Sequence, residues 1–124
     1  MNKSQQAGFT LIELVMVIVI LGVLAAVALP KFVSVDADAR AAALNGVAGG
    51  LSSASAINYA SRKANAAKGN AVANCTDVAT SLQGGLPSGY TITAAAVAVD
   101  ATVACTLTQT TGGATTTFSA TGIS

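Results

Sequence analysis

The sequence predicts an α+β fold, in which one long N-terminal α-helix packs on a small antiparallel β-sheet. An almost purely apolar run extends from Phe9 to Leu29, apolar residues then recur at helical spacing, and segments rich in Thr and Val follow near the C-terminal end. We therefore expect four regions. They are a polar leader (1–8), an apolar helix (9–30), an amphipathic continuation of that helix (31–63), and a loop and sheet region (64–124).

The apolar helix contains a single ionisable residue, Glu13. At about 1.5 Å per residue the run is long enough to cross a hydrocarbon core of roughly 30 Å. A charged side chain near the centre of a membrane helix costs roughly 2.5–3.5 kcal/mol and usually marks a function. Glu13 is therefore the first candidate for a functional residue.

The apolar helix also contains one glycine, Gly22, and one proline, Pro30. Proline has no amide hydrogen and clashes with the carbonyl group four residues earlier, so it kinks or ends helices. We expect a kink at or before Pro30.

The second half of the helix should present one apolar face. Its residues are spaced by three or four positions, which is the spacing of a helical stripe: Leu44, Val47, Leu51, Ala54 and Ile57. Such a stripe most often packs against the protein's own sheet. Polar residues are expected on other faces, among them Asp36, Asp38, Arg40, Asn45 and Asn58. Arg62 and Lys63 suit the end of a helix.

The region after the helix reads as a loop followed by three strands. A short helix is expected near Val78 to Leu82, and the strands over 90–99, 102–110 and 114–122. In the second strand apolar and hydroxyl side chains alternate, which is typical of a sheet with one buried and one solvated face. A turn at Asp100-Ala101 separates the first two strands.

Composition excludes several classes of function. The formal net charge is +1, so there is no basic face for nucleic acid. The chain has no histidine, the usual general base and metal ligand, and no serine has an identifiable activating partner. Asp36 and Asp38 diverge on a helix because they are two positions apart. We expect no enzyme, no cofactor and no metal.

Two cysteines, Cys75 and Cys105, lie outside the apolar run. Their spacing does not match a zinc or redox motif. They are either two separate buried thiols or one disulfide, and a disulfide requires an oxidising compartment. The bond would stabilise the fold by about 3.7 kcal/mol in the chain-entropy model. We expect the disulfide.

The N-terminus differs from an ordinary secretory signal. A short polar stretch, MNKSQQAG, directly precedes the apolar run. The run is not followed by the small-residue cleavage site, bounded by polar residues, that ends a secretory signal. Cleavage is therefore expected before the apolar segment, which leaves that segment in the mature protein.

The stretch G-FTLIE-L, followed by an apolar run that ends in ALP, resembles the signature of type IV pilins and their pseudopilin relatives. The resemblance implies a pilin fold, cleavage after Gly8 by a prepilin peptidase and N-methylation of Phe9. It also implies that Glu13 meets the new amine at Phe9, in the same chain or a neighbouring one, and that the helix melts locally between Gly22 and Pro30 in a filament. Residues 30–60 resemble the mannose-sensitive haemagglutinin type of major pilin.

The predicted function is that of a major structural subunit of a type IV pilus, a surface filament for adhesion or motility. Its expected partners are copies of itself, the prepilin peptidase and the pilus assembly machinery in the inner membrane. The precursor is expected in the inner membrane and the assembled subunit outside the cell. The alternatives are a type II secretion pseudopilin and, from a different class, a singly anchored periplasmic binding module.

Overall fold

A computed structural model describes residues 8–124, and the predicted leader therefore lies outside the described residues except for Gly8. The chain divides into two units, Met1–Ala39 and Arg40–Ser124. Helix α1 (Leu11–Ala64) begins in the first unit and ends in the second. It is helical throughout, including Gly22 and Pro30. Local melting between these two residues in a filament stays a prediction.

In the first unit, α1 exposes apolar side chains on all sides. Between Leu11 and Val35 every large apolar side chain is at least 44% exposed. This part of α1 is long and apolar enough to cross a membrane. Signal sequences near an N-terminus meet the same criteria of length and composition. Nothing within the described part of this unit covers its apolar surface.

The second unit contains a buried core between the end of α1 and a three-stranded sheet. The strands are β1 (Tyr90–Ile92), β2 (Thr102–Gln109) and β3 (Thr115–Thr121). They are antiparallel in the order β1-β2-β3. The largest fully buried apolar side chains come from α1, the loop, the short helix and β2: Leu51, Val72, Val78 and Leu107. The α+β prediction is confirmed.

The buried face of α1 is rotated and more polar than predicted. Leu44 and Leu51 are buried as expected, but Ile57 is 68% exposed. The remaining buried positions on α1 are Ala48, Ser55 and Asn58. The placement of Asn58 on an outer face was therefore wrong. Both buried polar side chains are hydrogen-bonded within the fold, which offsets the cost of removing them from water.

The first strand is shorter than the predicted 90–99, because the chain changes partner after Thr93. The amide of Thr93 still donates to the carbonyl of Thr106 (3.0 Å). Beyond Thr93, the amide of Cys75 donates to the carbonyl of Ala95 (2.9 Å). The amide of Val97 donates to the carbonyl of Ala73, also at 2.9 Å. Residues 95–97 therefore pair with the loop before the short helix instead of lengthening the sheet. The short helix is a 3₁₀ helix at Cys75–Ser81, which begins earlier than predicted.

The turn before β2 lies at Asp100, as predicted. Asp100 has φ of 62°, in the left-handed region that Asp tolerates better than most residues. In β2 the inward side chains include Cys105 and Leu107, with the hydroxyl-bearing residues between them less buried. The alternating pattern of this strand is confirmed.

Candidate functional site

The predicted cleavage site lies immediately before α1. Gly8, Phe9 and Thr10 are not helical, and all three residues are exposed, Phe9 at 76%. Among the described residues, nothing lies within 4 Å of a Cβ atom added to Gly8. The described part of the chain therefore gives no steric reason for a glycine at position 8.

Glu13 stabilises the start of its own helix. The backbone N–H of Thr10 donates to Glu13 Oε2 (2.9 Å), and the N–H of Glu13 donates to Thr10 Oγ1 (3.2 Å). The carbonyl of Thr10 accepts the first helical bond, from the N–H of Leu14 (3.1 Å). This reciprocal arrangement is a capping box. We call it the Thr10–Glu13 box.

The box gives Glu13 a second role, that of a capping residue. This role was not predicted from the sequence, although the capping pattern is present there. A Thr followed three positions later by Glu, just before an apolar run, is the sequence signature of a capping box. One carboxylate oxygen, Oε2, accepts the Thr10 N–H within the same chain. In the uncleaved chain the nitrogen of Phe9 is a peptide nitrogen, so pairing of Glu13 with a free amine at Phe9 stays a prediction.

The structure joins Cys75 and Cys105 in a disulfide, with their Cα atoms 5.7 Å apart. The two cysteines are 0% and 1% exposed. The bond connects the first residue of the 3₁₀ helix to the inner face of β2. Asn74 caps that helix, since its Oδ1 accepts the N–H of Thr76, and Asp77 Oδ2 accepts the N–H of Asn74 in return. The loop is therefore held both by a covalent bond and by a capping box.

A buried amide fixes the segment that follows α1. Asn58 Nδ2 donates to the carbonyl of Asn70 (2.8 Å), and the N–H of Asn70 donates to Asn58 Oδ1 (2.7 Å). Asn58 is 5% exposed. The neighbouring Gly69 has φ of +70°, and a Cβ there would lie 2.5 Å from Asn58 Oδ1. Only glycine fits this position without displacing the amide.

Two cations at the end of α1 bind different partners. Arg62 donates to the carbonyl oxygens of Ser124 (2.7 Å) and Ala66 (2.9 Å). Lys63 Nζ lies 2.6 Å from Asp100 Oδ1, which also accepts the Tyr59 hydroxyl at 3.0 Å. The hydrogen bond from Lys63, followed by that from Tyr59, lowers the pKa of Asp100, and the same bond to Asp100 raises the pKa of Lys63. These contacts lie at the surface and position the turn at Asp100.

The described part of the chain contains no group of three or more His, Cys, Asp or Glu side chains that could hold a metal ion.

Comparison with known proteins identifies the family. The family model for the prokaryotic N-terminal methylation motif matches residues 3–29. The type IV narrow pilus major component PilA5 of Thermus thermophilus is 40% identical over 86 residues, which are 69% of this chain and 68% of the relative. The chain belongs to the type IV pilin family.

Two further relatives of this pilin-family chain match shorter segments. The type II secretion system core protein G of Pseudomonas aeruginosa is 46% identical over 46 residues, 37% of this chain and 32% of that protein. The fimbrial protein EcpC of Eikenella corrodens is 42% identical over 62 residues, 50% of this chain and 40% of that protein. No solved structure gives a significant match. The mannose-sensitive haemagglutinin subtype stays a prediction.

Proposed function

We propose that the chain is the major structural subunit of a type IV pilus and catalyses no reaction. A prepilin peptidase cuts after Gly8, the amine of Phe9 is methylated, and the apolar part of α1 holds the precursor in the inner membrane. The assembly machinery then moves the subunit into an extracellular filament of identical copies. The observation that carries the proposal is the first unit of the chain, whose apolar side chains are exposed on every face of the helix.

An all-round apolar helix needs a continuous apolar environment. Soluble monomers rarely expose contiguous apolar patches larger than a few hundred Å². A membrane supplies such an environment before assembly, and the helices of neighbouring copies supply it in a filament. The match to PilA5 of T. thermophilus extends beyond the methylation motif, over 69% of this chain, and that relative is described as a pilus major component.

Within such a filament the carboxylate of Glu13 and the amine of Phe9 each need a partner of opposite charge. After cleavage the amine of Phe9 is a cation at the start of an apolar helix bundle, and Glu13 is the single carboxylate of the apolar run. Two unit charges about 4 Å apart attract by about 4 kcal/mol at an effective dielectric constant near 20. This attraction is comparable to the cost of burying Glu13.

Replacing Glu13 with glutamine tests the proposal, because glutamine removes the charge and keeps an oxygen that can accept the N–H of Thr10. We expect normal membrane levels, a normal disulfide and few surface fibres. The amine of Phe9 would be buried without its partner at a cost of about 3–5 kcal/mol for each subunit added. Asp38→Asn is the matched control, since it removes a carboxylate from an exposed position of the same unit, and it should leave fibres intact.

The assay compares sheared surface fibres, viewed by electron microscopy, with the amount of subunit in membranes. Intact mass of wild-type fibre protein should correspond to a chain that begins at a methylated Phe9. Fibre protein that still begins at Met1, or normal fibres from Glu13→Gln alone, would contradict the proposal. Wild-type protein that is processed but stays monomeric in the membrane would favour the singly anchored binding module.

The second candidate is a type II secretion pseudopilin, which the match to core protein G favours. The two functions are separated by deleting the gene. Loss of surface fibres with normal protein secretion supports the pilus subunit, whereas loss of secretion with unchanged surface fibres supports the pseudopilin.

A further inference from the structure

The boundary between the exposed N-terminal segment and α1 is set by side chains. Thr10 is the last residue before the helix. In the Thr10–Glu13 box, Thr10 Oγ1 accepts the N–H of Glu13, and the Glu13 carboxylate accepts the N–H of Thr10. Gly8 and Phe9 lie outside this boundary in non-helical, exposed chain. The peptide bond that joins them therefore precedes the helix.

Without the box, the first turn of α1 would have to find other acceptors. The first four N–H groups of a helix have no partner within it. Where the helix enters the membrane little water is available to these groups, so acceptors supplied by the protein stabilise the end of the helix. The carbonyl groups of the preceding residues are the nearest acceptors, and using them extends the helix backwards through Phe9 and Gly8.

We propose that Thr10 is a positioning residue for leader removal: with Glu13 it makes α1 begin at Leu11 and keeps the Gly8–Phe9 peptide bond in non-helical, exposed chain. The inference rests on the proposed function, because it assumes that cleavage occurs after Gly8. It assigns Thr10 a role that does not require contact with the peptidase.

The reaction requires access to both sides of one peptide bond. Water adds across the C–N bond between Gly8 and Phe9, which leaves a carboxylate on Gly8 and an ammonium group on Phe9. A bond within a helix is shielded by the turns on either side, and its carbonyl and amide are engaged in helical hydrogen bonds. Proteolysis accordingly concentrates at exposed, non-helical segments. The arrangement of Gly8 and Phe9 meets this requirement before any enzyme binds.

Two substitutions at position 10 separate capping from recognition of the threonine side chain. Valine has nearly the shape of threonine but no oxygen, so it cannot cap. Asparagine has a different shape but is among the best N-cap residues. Ser34→Val is the matched control, because it also replaces a hydroxyl residue by valine at an exposed position of α1 in the same unit.

The experiment measures the cleavage of the full-length chain by prepilin peptidase in membranes. In parallel, the ¹³Cα chemical shift of Phe9 in the uncleaved, detergent-solubilised chain reports whether residue 9 is helical. We expect Thr10→Val to be cleaved about fivefold more slowly, the factor that corresponds to the typical loss of an N-cap, with the Phe9 shift moved towards helical values. Thr10→Asn and Ser34→Val should match the wild type in both measurements.

Three results would overturn the inference. Wild-type cleavage rates in Thr10→Val would show that the box is not needed. Equally slow cleavage of Thr10→Asn and Thr10→Val, with an unchanged Phe9 shift, would show that the peptidase reads the threonine side chain itself. Both of these leave the proposed function intact. A wild-type chain that is not cleaved after Gly8 would overturn the proposed function and this inference together.

Discussion

Replacing Gly69 with alanine should destabilise the second unit through two separate effects. The first is backbone strain, because φ at Gly69 is +70°. The second is a collision, because the new Cβ would lie 2.5 Å from Asn58 Oδ1. Asn58 is buried and exchanges two hydrogen bonds with Asn70, so its amide cannot move away without losing them.

The magnitude follows from these two effects. A left-handed conformation costs an L-residue roughly 1–2 kcal/mol. Each of the two hydrogen bonds contributes about 1 kcal/mol. We therefore expect Gly69→Ala to lower the free energy of unfolding by about 3 kcal/mol. In an Asn58→Ala background the collision is absent, so Gly69→Ala should cost only the strain, about 1 kcal/mol. The two substitutions should be less than additive by about 2 kcal/mol.

Urea unfolding of the full chain in detergent, followed by tyrosine fluorescence, measures these values. Both tyrosines of the chain, Tyr59 and Tyr90, lie in the second unit, so the signal reports that unit alone. Gly84→Ala is the matched control: φ there is +83°, but a Cβ would meet nothing within 4 Å. The reasoning is refuted if Gly69→Ala costs no more than Gly84→Ala, or if Gly69→Ala and Asn58→Ala are additive.

Three further predictions use the same unfolding assay. Replacing both Cys75 and Cys105 with alanine should lower the free energy of unfolding by about 3.7 kcal/mol, and reductant should then have no further effect; an unchanged value would mean that the bond is absent. Because the pKa of Asp100 is lowered from 3.8 in the folded state, its stabilising contribution is present above that value and is lost as the pH falls through the folded pKa. Asp100→Asn should therefore flatten the acid limb of the stability profile, and an identical acid limb would contradict the role of Lys63. Ser55→Ala should cost roughly 1–3 kcal/mol because it removes the acceptor of a β3 amide at 2.9 Å, whereas a cost near zero would show that water replaces the hydroxyl.

The capping role of Thr10 can be recognised from a local sequence pattern. Thr10 and Glu13 are three positions apart, and each residue's side chain accepts a hydrogen bond from the backbone N–H of the other. Capping depends on local geometry, so a pattern of two residues is enough to predict it. Glu13 was interpreted from the sequence only as the charge partner of the Phe9 amine, and its capping contact was not predicted.

The buried polar residues of α1 could not be predicted in the same way. Ser55 is buried because β3 brings the N–H of Thr121 to it, and Asn58 because the loop brings Asn70 to it. These partners lie 66 and 12 positions away in the chain. An apolar stripe therefore predicts Ile57 inside and Asn58 outside, whereas the fold has the reverse, because hydrogen bonds to distant backbone groups offset the cost of burying the amide.

The sequence by itself determined the elements whose cause is local: the apolar helix, the strands β2 and β3 and the turn at Asp100. It also encodes the boundary at Thr10, although that boundary was not predicted. Only the tertiary structure decided where residues 94–99 bond, which face of α1 is buried and why position 69 needs glycine. Backbone conformation follows from neighbouring residues, but the choice of hydrogen-bond partner depends on which segments the fold brings together. Those partners are distant in the chain, so no local pattern records them.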